Sequence, residues 1–112
     1  MRLKVVFYKS PSGNDPVRDW LKSLSSEDKK IIGEDIKTVQ FGWPLGMPLV
    51  RKLETGLWEI RVILRGRIAR VLITVEGNTM VLLHGFIKKS QKIPLEDLNL
   101  AMERLARLRG DK

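Results

Sequence analysis

One histidine, no cysteine and a concentration of arginine and lysine in its second half limit the chemistry open to this chain. Without cysteine there is no disulfide, no thiolate metal site and no thiol nucleophile. A single histidine, His84, excludes a His-rich zinc site and a Cys–His pair. Neither a Walker loop nor G-x-G-x-x-G occurs, and no Ser–His–acid arrangement can be argued. Between residues 61 and 95 seven bases (Arg61, Arg65, Arg67, Arg70, Lys88, Lys89 and Lys92) face one acid, Glu76. A metal-dependent nuclease wants clustered carboxylates, and that stretch does not supply them. The remaining candidates are Arg, Lys and one His, with no metal and no cofactor expected.

Such a set can cleave RNA. The ribose 2′-hydroxyl attacks the adjacent phosphorus, and the barrier is largely the negative charge gathering on the phosphate oxygens. Fixed guanidinium and ammonium groups stabilise that charge, and a histidine or lysine can protonate the leaving 5′-oxygen. Arg61, Arg70, His84 and Lys88 are the catalytic candidates, and Lys52, Arg65, Arg67, Lys89 and Lys92 are candidate RNA contacts. The whole-chain balance agrees: 21 Lys and Arg against 13 Asp and Glu, net charge +8, suit a polyanionic partner. The acids sit elsewhere, with Asp15, Asp19, Glu27, Asp28, Glu34 and Asp35 in the N-terminal helical segments. Each candidate has a structural alternative: a solvated or paired strand arginine, a core histidine, or a lysine pair at Lys88–Lys89 that guards a strand end.

The elements that must position these residues follow from pattern. Leu3 to Tyr8 predicts a first strand. Asp15 is placed to cap a helix starting at Pro16, with Val17, Trp20, Leu21 and Leu24 on its apolar stripe. Ser25 and Asp28 form a capping-box pattern for a second helix, antiparallel to the first, carrying Ile31, Ile32, Ile36 and Val39 and ending at Gly42. Residues 42 to 48, GWPLGMP, are a loop. Strands are predicted at 50–53, 57–64, 67–75 and 79–87, with turns at Arg65–Gly66 and Glu76–Gly77–Asn78. A last helix opens at Ile93–Pro94 and sets Leu95, Leu98, Ala101, Met102, Leu105 and Leu108 on one face. Trp20 and Trp58 are assigned to packing. Alternation puts Met80, Leu82, His84 and Phe86 on one face of their strand. The expected product is one α+β domain over 1–112, its helices on one sheet face and the other face open, with the Arg61 and Arg70 guanidiniums in solvent. No run of apolar residues reaches the ~20 needed to span a bilayer, and no signal-peptide core opens the chain, so a cytoplasmic protein is expected.

LWEIR at 57–61, RIARVLI at 67–73, VLLHGFIKK at 81–89 and the terminal helix begun by Ile-Pro together resemble the RelE/HigB toxin superfamily. The nearest likeness is to its phage-derived, HigB-like branch, whose members typically carry Leu-Leu-His-Gly-Phe followed by two lysines. The resemblance implies a RelE-like, microbial-ribonuclease-type fold: an antiparallel sheet with two N-terminal helices and a C-terminal helix. It implies a type II toxin that cleaves messenger RNA on the ribosome, silenced by a cognate antitoxin of the helix-turn-helix kind. It also implies that Arg61 and Arg70 contact the scissile phosphate, that Lys88 falls near the position where a basic residue, often the proposed acid, ends the last strand, and that Lys52 matches a base ahead of the meander. The terminal helix departs from several relatives in lacking a tyrosine or histidine near the scissile bond, which leaves His84 as the substitute. Two other functions fit the same pattern, a ParE-type toxin directed at gyrase and a non-catalytic RNA- or ribosome-binding module.

Overall fold

A computed structural model describes residues 2–88 and 91–110. The chain runs β1 (Lys4–Phe7), α1 (Pro16–Lys22), α2 (Ser26–Gly42), β2 (Val50–Glu54), β3 (Leu57–Leu64), β4 (Arg67–Glu76), β5 (Thr79–Lys88) and α3 (Leu95–Leu108). The five strands form one sheet in the order β1-β5-β4-β3-β2. Only the β1–β5 pairing is parallel, so this is an α+β fold consistent with the RelE type. The two hairpin turns fall at the predicted glycines: Gly66 (φ 68°) and Gly77 (φ 60°) take the left-handed backbone those turns require.

The helices do not share a face. Buried residues of α1 and α2 (Val17, Ile32, Ile36, Val39) meet Ile60, Val62, Val71 and Leu82 on one side of the sheet. On the other side Ala101 and Leu105 of α3 meet Leu57, Leu72 and Leu83. The expected open face is therefore half covered, because an amphipathic terminal helix has its own apolar stripe to bury. That stripe is narrower than predicted, leaving Leu95, Met102 and Leu108 exposed.

Local caps follow the sequence in part. The Ser25 side chain accepts a hydrogen bond from the Asp28 amide at 3.2 Å. Asp15 makes no side-chain cap, because its carboxylate instead accepts from Arg18 Nε at 2.9 Å. Trp20 packs inward against Gly85, where a Cβ would run into the indole ring. That contact explains the glycine in Leu-His-Gly-Phe. Trp58 also packs, meeting Trp43 edge to face at 5.1 Å.

One irregularity in β5 decides where its side chains point. Leu72 pairs with His84 but Ile73 pairs with Leu82, so Leu83 is an extra residue in β5. Such a bulge interrupts the alternation of faces. Met80 and Leu82 face α1 and α2, whereas His84 and Phe86 face the α3 side. The expectation that all four share a face is corrected by this one inserted residue. Arg104 of α3 donates from Nη1 to the bulged Leu83 carbonyl at 2.8 Å, fixing the helix to the irregularity.

Candidate functional site

The α3-side face presents three rows of side chains across β3, β4 and β5. Ile63, Ile68 and Lys88 form the first, Arg61, Arg70 and Phe86 the second, and Glu59, Leu72 and His84 the third. Arg61, Arg70, His84 and Lys88 are thus on one face, at the end of the sheet nearest the β3–β4 turn.

Arg61 and Arg70 stand directly opposite each other yet have different environments. Arg70 is 1% exposed, 3.5 Å from the Glu59 carboxylate through Nε. Glu59, also buried, holds Arg51 on its other oxygen at 3.2 Å. Burial pushes the Arg70 guanidinium below the ordinary arginine range; Glu59 opposes that shift, and Arg61 and Arg51 add to it. The expectation that Arg70 points to solvent is therefore corrected. Its strand position lies in the middle of the sheet, where its neighbours Arg61 and Phe86 and the carboxylate of Glu59 enclose it. Arg61 is only half-buried. It donates from Nη2 to Gln91 Oε1 at 3.1 Å. Its guanidinium charge is neutralised by no carboxylate among the described residues.

His84 and Lys88 converge on one acid. His84 Nε2 lies 2.7 Å from Asp97 Oδ1, in the first turn of α3. Lys88 Nζ lies 3.7 Å from Asp97 Oδ2 and 3.7 Å from Glu96 Oε1. The His84 ring stacks on Phe86 with centroids 5.4 Å apart, which fixes its plane. A carboxylate on one ring nitrogen selects the tautomer and orients the imidazole. Asp97 thereby holds Nε2, and Nδ1 is the ring nitrogen that no carboxylate contacts among the described residues.

The other candidates scatter. Arg65 is exposed in the β3–β4 turn at the site's end of the sheet. Arg67 points to the opposite face and grips Asp28 of α2 with both Nη groups, at 2.9 and 3.1 Å. That hydrogen-bonded pair lowers the Asp28 pKa and raises that of Arg67. Lys52 is exposed but pairs in register with Trp58, on the α2 side. Lys92 is exposed in the segment before α3, and Lys89 lies outside the described residues.

Sequence reasoning missed Asp97, Gln91, Arg51 and the part played by Glu59. Alternation along β3 puts Glu59 on the face of Arg61, but it says nothing of which cation Glu59 holds. Asp97 carries no local signal, since thirteen residues and a change of element separate it from His84. Among the described residues no three His, Cys, Asp or Glu side chains gather where a metal ion would sit, and no helix is long and apolar enough to cross a membrane.

Residues 19–106, from within α1 through most of α3, match the family described as Phage derived protein Gp49-like (DUF891). The chain belongs to that family. Gp49-like proteins are toxins of the RelE/HigB type, so an antitoxin is the partner the family implies. The matched span holds every residue of the site just described, from Arg51 on β2 to Asp97 on α3. No curated protein matches the chain.

Proposed function

We propose that this Gp49-like toxin is an endoribonuclease that cuts messenger RNA on the ribosome, by metal-independent attack of the 2′-hydroxyl on the adjacent phosphate. The observation that carries the reading is the meeting, on one sheet face, of an arginine with no ion pair among the described residues, an oriented histidine and a lysine. Arg61 binds the scissile phosphate and stabilises the charge that builds on its oxygens. His84, held through Nε2 by Asp97, takes the 2′-hydroxyl proton at Nδ1. The 2′-oxygen bonds to phosphorus, the bond from phosphorus to the 5′-oxygen breaks, and Lys88 gives its proton to the departing oxygen. The products are a 2′,3′-cyclic phosphate and a 5′-hydroxyl. Arg70, buried beneath, adds fixed positive potential to the site and keeps Glu59 from approaching the phosphate as a bare anion.

The exposed cations Arg65 and Lys92, with Lys89, supply the weaker, sequence-independent attraction to the RNA strand. Arg67 is a structural residue in this account, and Lys52 does not share the face of Arg61. Mapping transcript 5′ ends after a brief induction tests the reading. Cuts inside translated codons, absent from Arg61→Ala, are the expected result. DNA-damage signalling without cuts overturns it in favour of a gyrase poison, and growth arrest with neither leaves only a binding module.

A further inference from the structure

We propose that the cavity between α2 and the free end of β3 is a nucleobase subsite that takes guanine. The inference rests on the ribonuclease reading and adds a recognition element to it. β2 begins at Val50, opposite Ile60, so β3 has no strand partner on that edge beyond this point. The Arg61 amide instead donates to the Leu49 carbonyl at 2.8 Å, and the remaining edge stays open with Ile63 66% exposed. The resulting cavity is about 500 Å³ and is lined by Ile31 and Asp35 of α2, Pro48 and Leu49 of the preceding loop, and Arg61 and Ile63 of β3.

Two features of this lining point to a base. Its walls are aliphatic, and apolar side chains are what an unstacked base needs against its flat faces. Its carboxylate, Asp35, has no hydrogen bond or ion pair among the described residues. Asp35 is half-buried in a chain of net charge +8, where cations are plentiful and most acids near the sheet have found one. Burial and the neighbouring Glu34 both push its carboxyl above the usual range.

A carboxylate beside an RNA track repels phosphate and can only accept hydrogen bonds. Guanine offers two adjacent donors on its Watson–Crick edge, N1–H and the 2-amino group, which two carboxylate oxygens can take together. Adenine and cytosine set a lone-pair nitrogen next to their amino group, and uracil flanks its single N–H with carbonyls. Each of these turns an acceptor toward the second oxygen. Arg61 belongs to both places: it lines the cavity and carries the guanidinium assigned to the scissile phosphate. Ile63 follows two residues later on the same face. A guanine seated there therefore sets the register of the strand at the cut.

The test is a titration of isoleucine-methyl-labelled protein with GMP, inosine monophosphate and AMP, read at Ile31 and Ile63. GMP is expected to shift both methyls saturably. Inosine monophosphate, lacking the 2-amino group, should bind about tenfold more weakly, and Asp35→Asn should lose about ten- to hundredfold of guanine preference, the range for one bidentate base contact. Ile63→Ala, at an exposed position, should weaken GMP binding without unfolding the chain. Equal binding of AMP and GMP, or shifts that bypass Ile31 and Ile63, overturn the subsite. The two readings separate cleanly. Unchanged base preference in RNA cut by Asp35→Asn removes the subsite alone, whereas GMP binding without any RNA cleavage removes the ribonuclease alone.

Discussion

Arg61 and Arg70 face each other across β3 and β4, yet their replacements should behave in opposite ways. Removing one member of a buried ion pair usually costs about 3–5 kcal/mol. Arg51 still contacts Glu59 after Arg70→Ala, so this variant should lose about 3 kcal/mol, measured as a fall in the urea midpoint. Arg61→Ala removes a half-exposed side chain and should stay within about 0.5 kcal/mol of the parent. Its cleavage rate should nevertheless drop by about 10²–10³, the usual loss for one contact to transition-state charge. A second pair gives a pH signature. Arg67 holds the Asp28 carboxyl below the usual range, so the pair adds stability above the ordinary carboxylate pKa and loses it as pH falls through the lowered value. Asp28→Asn should therefore be less stable than the parent at pH 7, and urea midpoints should converge as the solution becomes strongly acidic. A gap that persists at low pH would mean that packing, not charge, holds α2 to β4.

The elements themselves were largely legible. Period-two runs located β2 to β5 to within a residue or two, glycines marked both turns, and Ser25 marked the start of α2. Three things were not legible, each because it depends on contact between distant segments. The Leu83 bulge changes the face of His84, yet the inserted position holds an ordinary leucine and not a Gly or Pro. Arg70 looks identical to Arg61 in an alternating strand, and only the third dimension encloses it. Asp97 reads as an ordinary acid in a first helical turn, favoured there by the dipole, until α3 lays it against His84. Gly85 is a case where the residue type did carry the information, since the indole of Trp20 occupies the space a side chain would need. Gly85→Ala should therefore destabilise the fold by about 1–3 kcal/mol through overpacking. Adding Trp20→Leu should return part of that loss in a double-mutant cycle, because the two sites touch. Simple additivity would place the strain elsewhere.

At the scale of the whole molecule, the sheet separates two tasks. The α1 and α2 side is closed by a continuous apolar core and by the Arg67–Asp28 pair. The α3 side is only half closed, and its uncovered end gathers Arg61, His84 and Lys88 with the acidic first turn of α3 beside them. In the proposed reaction the net charge of +8 favours a polyanionic substrate, and the site's own geometry sets the chemistry. The central claim is that these side chains, with no metal bound by this protein, drive attack by the substrate's own 2′-hydroxyl. The direct measurement is the end chemistry of messenger RNA cut by the purified protein on programmed ribosomes, using strands with a single 2′-deoxy substitution at the mapped cut. The account predicts a 2′,3′-cyclic phosphate and a 5′-hydroxyl, and no cut where the 2′-oxygen is missing. A 5′-phosphate product, or undiminished cutting of the 2′-deoxy strand, would contradict it.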